Sequence, residues 1–190
     1  MSRSQSVSGL FLTPGAGSNR DHPGLIALEE RVDPLPVERA DFPYRKAGKP
    51  FPDRTPVLVQ AIRDGVEAMA RERGLDSNQL VMGGRSMGGR MCSIAIAEGL
   101  PAAGLVLVSY PLHPPNKPEN LRVDHFASIN VPCLFVSGDR DEFGSPEEFD
   151  VQLAAIPGSV TVVRVPGKRH DLKGSDELVC DAVQEWLTRL

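Results

Sequence analysis

The run Gly84-Arg85-Ser86-Met87-Gly88 sets a serine between two glycines, where the short apolar segment Gln79–Met82 meets a helical pattern reaching about Glu98. A serine on so sharp a strand-to-helix turn is forced into a strained backbone, and side chains two positions to either side would collide. Glycine at 84 and 88 removes the collision and lifts the Ser86 hydroxyl above the sheet edge. The chemistry open to such a serine is nucleophilic attack, provided that a base takes its proton and an acid holds the base in one tautomer. A glycine-rich turn can also be a phosphate cradle or a plain strand–helix junction. The flanking strand and helix favour the nucleophile.

The base and the acid must come later in the chain, each just past a strand end, in the order serine, acid, histidine. The apolar run Val131–Ser137 leads into Gly138-Asp139-Arg140-Asp141, and Val160–Val165 leads into Pro166-Gly167-Lys168-Arg169-His170. His170 is therefore the candidate base. Asp141 and Asp139 share one turn and both stand as candidate acids; the other role open to either is capping the helix that begins near Ser145, or pairing with Arg140. An acyl-transfer site also needs donors for the developing oxyanion. The backbone N–H groups of Met87 and Ala16 are the candidates, the latter in the loop Gly15-Ala16-Gly17, whose small residues let the backbone approach a substrate. Weaker candidates for substrate contact are Gly15, Gly17, Arg85 and His113. Arg85 could meet a substrate carboxylate, or its stem could pack on the turn with its head in solvent or beside a nearby carboxylate. His113 could line the site or stack among the prolines around it.

These residues need a scaffold that brings several strand ends to one edge. Short apolar runs alternate with helical patterns throughout, the signature of a parallel sheet with crossover helices. Strands are predicted at Val7–Leu12, Gln79–Met82, Ala103–Ser109, Val131–Ser137 and Val160–Val165, with a weaker edge strand around Leu35–Ala40 beside Pro34 and Pro36. Leu58, Ile62, Val66 and Met69 recur at helical spacing, with Thr55 as the N-cap, Pro56 at the first position and Gly74 as the stop. Further helices are predicted over Pro146–Ala155 and Asp176–Leu190. The segment Pro43–Pro56, rich in proline, is predicted to be an exposed loop.

The chain has 190 residues, of which 41% are hydrophobic and 24% charged, as expected of one globular domain spanning 1–190. A net charge of −4 supplies no basic face for nucleic acid. No apolar run is long enough to span a bilayer, and Met1–Ser8 has no apolar core of a secretory signal, so the expected location is cytoplasmic. Cys92, Cys133 and Cys180 lie in apolar surroundings and are predicted to be buried, inert thiols, with no Cys/His cluster spaced for a metal.

Four segments taken together, Pro14-Gly15-Ala16-Gly17-Ser18, Gly83-Gly84-Arg85-Ser86-Met87-Gly88-Gly89-Arg90, Tyr110-Pro111-Leu112-His113-Pro114-Pro115 and Gly138-Asp139-Arg140-Asp141-Glu142-Phe143-Gly144, resemble the small α/β-hydrolases. The resemblance is to the dienelactone-hydrolase-like group that includes testis-expressed hydrolase-like proteins and the hydrolase-like part of a histone-acetyltransferase complex subunit. It extends from about Val7 to Leu190. It implies an α/β-hydrolase fold of about six mostly parallel strands with helices on both faces and no cap domain, and it carries nucleophile, acid and base onto Ser86, Asp141 and His170. Two positions depart from the pattern: Pro14 stands where related sequences often have His, and Ser86 stands where dienelactone hydrolases proper use cysteine. The implied activity is hydrolysis of an ester or thioester of a small molecule, without metal or organic cofactor. The competing expectation is a hydrolase-fold scaffold that binds without catalysing. Oligomeric state has no signal in the sequence.

Overall fold

A computed structural model describes residues 7–190. Six strands form one parallel sheet: β1 (Gly9–Thr13), β2 (Val37–Arg39), β3 (Leu80–Arg85), β4 (Gly104–Val108), β5 (Cys133–Gly138) and β6 (Val160–Val165), in the spatial order β2-β1-β3-β4-β5-β6. Six helices flank it: α1 (Pro23–Val32), α2 (Pro43–Lys46), α3 (Thr55–Arg73), α4 (Met87–Ala97), α5 (Pro146–Leu153) and α6 (Asp176–Leu187). The inner strands are apolar on both faces because both faces are covered. Leu10, Leu12, Val81, Val106, Leu134 and Val136 pack with residues of α1 and α6. Phe11, Leu80, Met82, Leu105, Leu107 and Phe135 pack on the other side with residues of α3, α4 and α5. The period-two alternation of strand side chains thus fills two cores from one sheet.

The chain leaves β1 toward β2 on one side, then crosses back to β3 on the other. The loops that follow β1 and β3 therefore diverge. In open parallel sheets ligands bind in the crevice left at such a reversal, outside the carboxyl ends of the strands. The predicted strands agree with those observed to within a few residues, and the weak one is indeed the edge. No helix among the described residues is long and apolar enough to cross a membrane.

Helix α1 lies in a stretch to which the sequence assigned no element; Leu25, Leu28 and Val32 are its buried stripe, and its N-cap is His22, whose Nδ1 accepts the Gly24 N–H at 3.1 Å. Two local expectations are corrected. The predicted loop Pro43–Pro56 starts with the one-turn helix α2, which buries Tyr44, and only its later part is exposed. Thr55 is the first residue of α3 rather than its cap, which is Arg54, while Gly74 stops the helix in the left-handed region at φ 65°. The three cysteines are buried and unpaired. Burial pushes the thiols of Cys92 and Cys133 up to about 12, which leaves them inert.

Candidate active site

Strand β3 ends at Arg85, helix α4 begins at Met87, and Ser86 occupies the turn between them with φ 49° and ψ −119°. Few non-glycine residues adopt this conformation, and its cost is tolerated where the surroundings fix it. The Ser86 N–H donates to the Val108 carbonyl of β4 at 2.9 Å. A Cβ on residue 84 would lie 2.1 Å from the Thr13 carbonyl oxygen, and one on residue 88 would lie 2.5 Å from the carbonyl oxygens of both Thr13 and Pro14. Glycine at these two places lets α4 and β3 close on the end of β1.

His170 follows β6 and Asp141 follows β5, so adjacent strand ends supply both. His170 Nε2 lies 2.9 Å from Ser86 Oγ, and His170 Nδ1 lies 2.9 and 3.0 Å from the two carboxylate oxygens of Asp141. An ionised carboxylate only accepts, so Nδ1 carries the proton and Nε2 offers its lone pair to the serine hydroxyl. The Asp141 side chain is fully buried, and its Oδ1 also accepts the Phe143 N–H at 2.9 Å. The Phe143 ring lies against the imidazole, with centroids 4.0 Å apart.

Of the two acids left open by the sequence, Asp141 meets His170. Asp139 instead accepts the Gly167 N–H at 2.7 Å and pins the turn that delivers His170. Arg85 reaches the same turn from the other side, its Nη2 donating to the His170 carbonyl at 2.9 Å. It thus braces the histidine's main chain, and burial holds its guanidinium below the ordinary arginine range. His113 is buried, with Nδ1 at 2.8 Å from the carbonyl of its neighbour Pro114 and Nε2 at 3.3 Å from Glu148 in the first turn of α5, so both ring nitrogens are engaged within the protein.

The loop after β1 lies against the serine: a Cβ on Gly15 would come within 3.6 Å of Ser86 Cβ, while Gly17 has open space around it. The Ala16 carbonyl accepts from Tyr44 Oη and from Arg45 Nη2, each at 2.9 Å. With its carbonyl tied back to α2, the loop holds a fixed orientation. Sequence reasoning missed both anchors because it read their segment as solvent-exposed. The pairing of the apolar Phe42 and Tyr44 around Pro43 was the available signal. Met87 begins α4, where the first N–H groups of a helix have no partner in the helix itself. A cavity of about 410 Å³ lies elsewhere, at the sheet edge, among Glu38, Asp41, Glu72, Arg20 and Lys46, and includes none of these groups.

Residues 7–186 match the α/β hydrolase domain family, and the chain belongs to it. Solved structures agree with the fold. Est1E from Butyrivibrio proteoclasticus superposes with a TM-score of 0.77 at 18% identity, over 97% of this chain and 88% of that one. One of the metagenome-derived lipolytic enzymes LipS and LipT superposes with 0.76 at 13% identity, over 97% and 95%. Dienelactone hydrolase from Anabaena variabilis superposes with 0.73 at 17% identity, over 96% and 87%.

Proposed function

We propose that the chain is a serine hydrolase that cleaves an ester or thioester of a small molecule in a single catalytic domain. The observation that carries this reading is the continuous relay from Asp141 through both nitrogens of His170 to the Ser86 hydroxyl. Ser86 Oγ attacks the substrate carbonyl carbon while its proton passes to His170 Nε2, and Asp141 stabilises the imidazolium. The carbonyl oxygen becomes an oxyanion that the Met87 and Ala16 amides face. Collapse breaks the bond to the leaving group, which takes the proton from Nε2. Water then repeats the sequence on the acyl-enzyme, releasing the acid and restoring the serine. Each oxyanion donor is worth about 3 kcal/mol of barrier, so anchoring the Ala16 loop adds to the rate that the base supplies.

The esterase, lipolytic and dienelactone hydrolase names of the structural neighbours support this class of reaction. The narrower kinship with testis-expressed hydrolase-like proteins rests on the four sequence segments and belongs to the same proposal, as do a cytoplasmic location and independence from nucleic acid, membranes and cofactors. Hydrolysis of p-nitrophenyl acetate tests it. The wild-type chain should turn the ester over with a burst of p-nitrophenol, one per active site, and Ser86→Ala should abolish the burst. A folded wild-type protein with no turnover of acetyl, butyryl or thioacetyl esters would favour the scaffold instead.

A further inference from the structure

The imidazole of His170 has a neighbour that the relay does not use. Phe143 lies two residues beyond Asp141, and its ring centroid is 4.0 Å from that of His170, with the two planes inclined by 32°. An edge-on contact would set the planes near perpendicular and the centroids further apart, so the imidazole lies over the face of the phenyl ring. That face carries the negative part of the ring's quadrupole.

Packing does not account for the ring. Phe143 is half-buried, and among the described residues it joins neither hydrophobic core. Its main chain, by contrast, is fixed on both sides. The Phe143 N–H donates to Asp141 Oδ1 at 2.9 Å, and the Phe143 carbonyl accepts the His113 N–H at 3.1 Å. His113 is itself held through its ring by Pro114 and Glu148. At the next residue a Cβ would lie 2.9 Å from Leu112 Cδ1 and 3.0 Å from Phe149 Cε2, so Gly144 lets the loop after β4 close on this turn. The turn that buries the acid thus also sets a phenyl face on the base.

In the relay, His170 is neutral until Ser86 Oγ gives up its proton and then carries one positive charge. The His170 side chain is only 16% exposed, so water can do little for that charge. Asp141 meets the ring at Nδ1, and Phe143 meets it across its face. A phenyl face attracts a cation, and the attraction grows as water is excluded. An interaction that strengthens only as charge develops lowers the barrier without tightening substrate binding.

We propose that Phe143 is a positioning residue for the reaction that acts through His170: its ring face holds the imidazole with Nε2 toward Ser86 and stabilises the imidazolium that forms as Oγ attacks. The proposal rests on the hydrolase reading, since it concerns the proton that passes from Ser86 Oγ to His170 Nε2 while the new C–O bond forms.

The test grades the charge on the ring face and leaves its shape nearly constant. Phenylalanines carrying one, two or three ring fluorines are placed at position 143 of the full chain by nonsense suppression. The rate constant of the p-nitrophenyl acetate burst, followed by stopped flow, should fall stepwise with each fluorine. The ester concentration that half-saturates the burst should stay where it is. Phe143→Leu, which removes the face, should slow the burst by about three- to thirtyfold, the span of measured attractions between a cation and an aromatic face. Phe143→Tyr keeps the face and should keep the rate. If Phe143→Leu does not fold, the fluorine series and Phe143→Tyr still decide. A burst insensitive to fluorine, even with Phe143→Leu slow, means that the ring only fills space and overturns the proposal. So does a raised half-saturation with an unchanged rate constant, which would make Phe143 part of the substrate surface. A wild-type chain that shows no burst and takes up no fluorophosphonate removes the hydrolase reading and this proposal together. A chain that does both, with fluorine of no effect, removes the proposal alone.

Discussion

At the scale of single residues, the division of work between two neighbouring aspartates is the sharpest consequence of the geometry. Asp141 receives the His170 Nδ1 proton, whereas Asp139 receives a backbone N–H of the turn before it. Asp141→Asn should lower kcat by about 10⁴, because an amide in that place admits the wrong imidazole tautomer. Asp139→Asn should cost less than tenfold, since an amide oxygen still accepts the Gly167 N–H. Equal losses in steady-state assays of the two variants would contradict the assignment. Ser86 stores strain at φ 49°. Ser86→Gly relieves about 1–3 kcal/mol of it and gives back up to about 1 kcal/mol through the greater freedom of the unfolded chain. The net change is about 0–3 kcal/mol, so the inactive variant should melt at or above the wild-type temperature by calorimetry, and a lower Tm would contradict strain stored at this turn.

At the scale of elements, each reacting group sits just past a strand and is held by a neighbouring turn, so the supports are as informative as the groups. Tyr44→Phe removes one of the two donors on the Ala16 carbonyl and leaves Arg45. The expected cost is about 1 kcal/mol of stability. Kinetically, kcat should fall about tenfold with KM little changed, less than the loss of an oxyanion donor outright. A raised KM with unchanged kcat would mean that the loop binds substrate instead of the oxyanion. The strands were legible because continuous apolar runs admit few alternatives, and Gly84, Ser86 and Gly88 were legible because a sharp turn restricts residue type. Helix α1 was not, since its cap is a histidine and its buried stripe is only Leu25, Leu28 and Val32. Asp139 and Asp141 could not be separated by position alone, because which one points inward depends on the turn that Gly138 makes beneath Lys168. The Arg85 brace was equally hidden: it depends on where the His170 turn comes to rest, 85 residues away.

At the scale of the whole molecule, the two cores on either side of the sheet carry the fold, and acid should loosen it at an identifiable point. Burial first, then the charge of Arg90, holds His125 down to about 4 in the folded chain, against about 6.5 when unfolded. The unfolded chain therefore takes up this proton first. Stability from this group is complete above about pH 6.5, declines as pH falls toward 4, and levels off below that. Lowering of His22 by burial acts in the same direction. Urea unfolding of His125→Gln between pH 7 and 4 should show a shallower decline than the wild type, by up to one proton. A parallel decline would place the proton uptake elsewhere.

The central claim is that Ser86 is an activated nucleophile, and covalent labelling tests it most directly. A fluorophosphonate probe at neutral pH should modify the folded wild-type chain once, with the adduct located on Ser86 by peptide mass spectrometry. A base-activated hydroxyl reacts with such a probe and an ordinary one does not. Labelling should vanish in Ser86→Ala and fall by orders of magnitude in His170→Ala. A folded wild-type protein that takes up no label, or takes it up at another serine, would contradict the account.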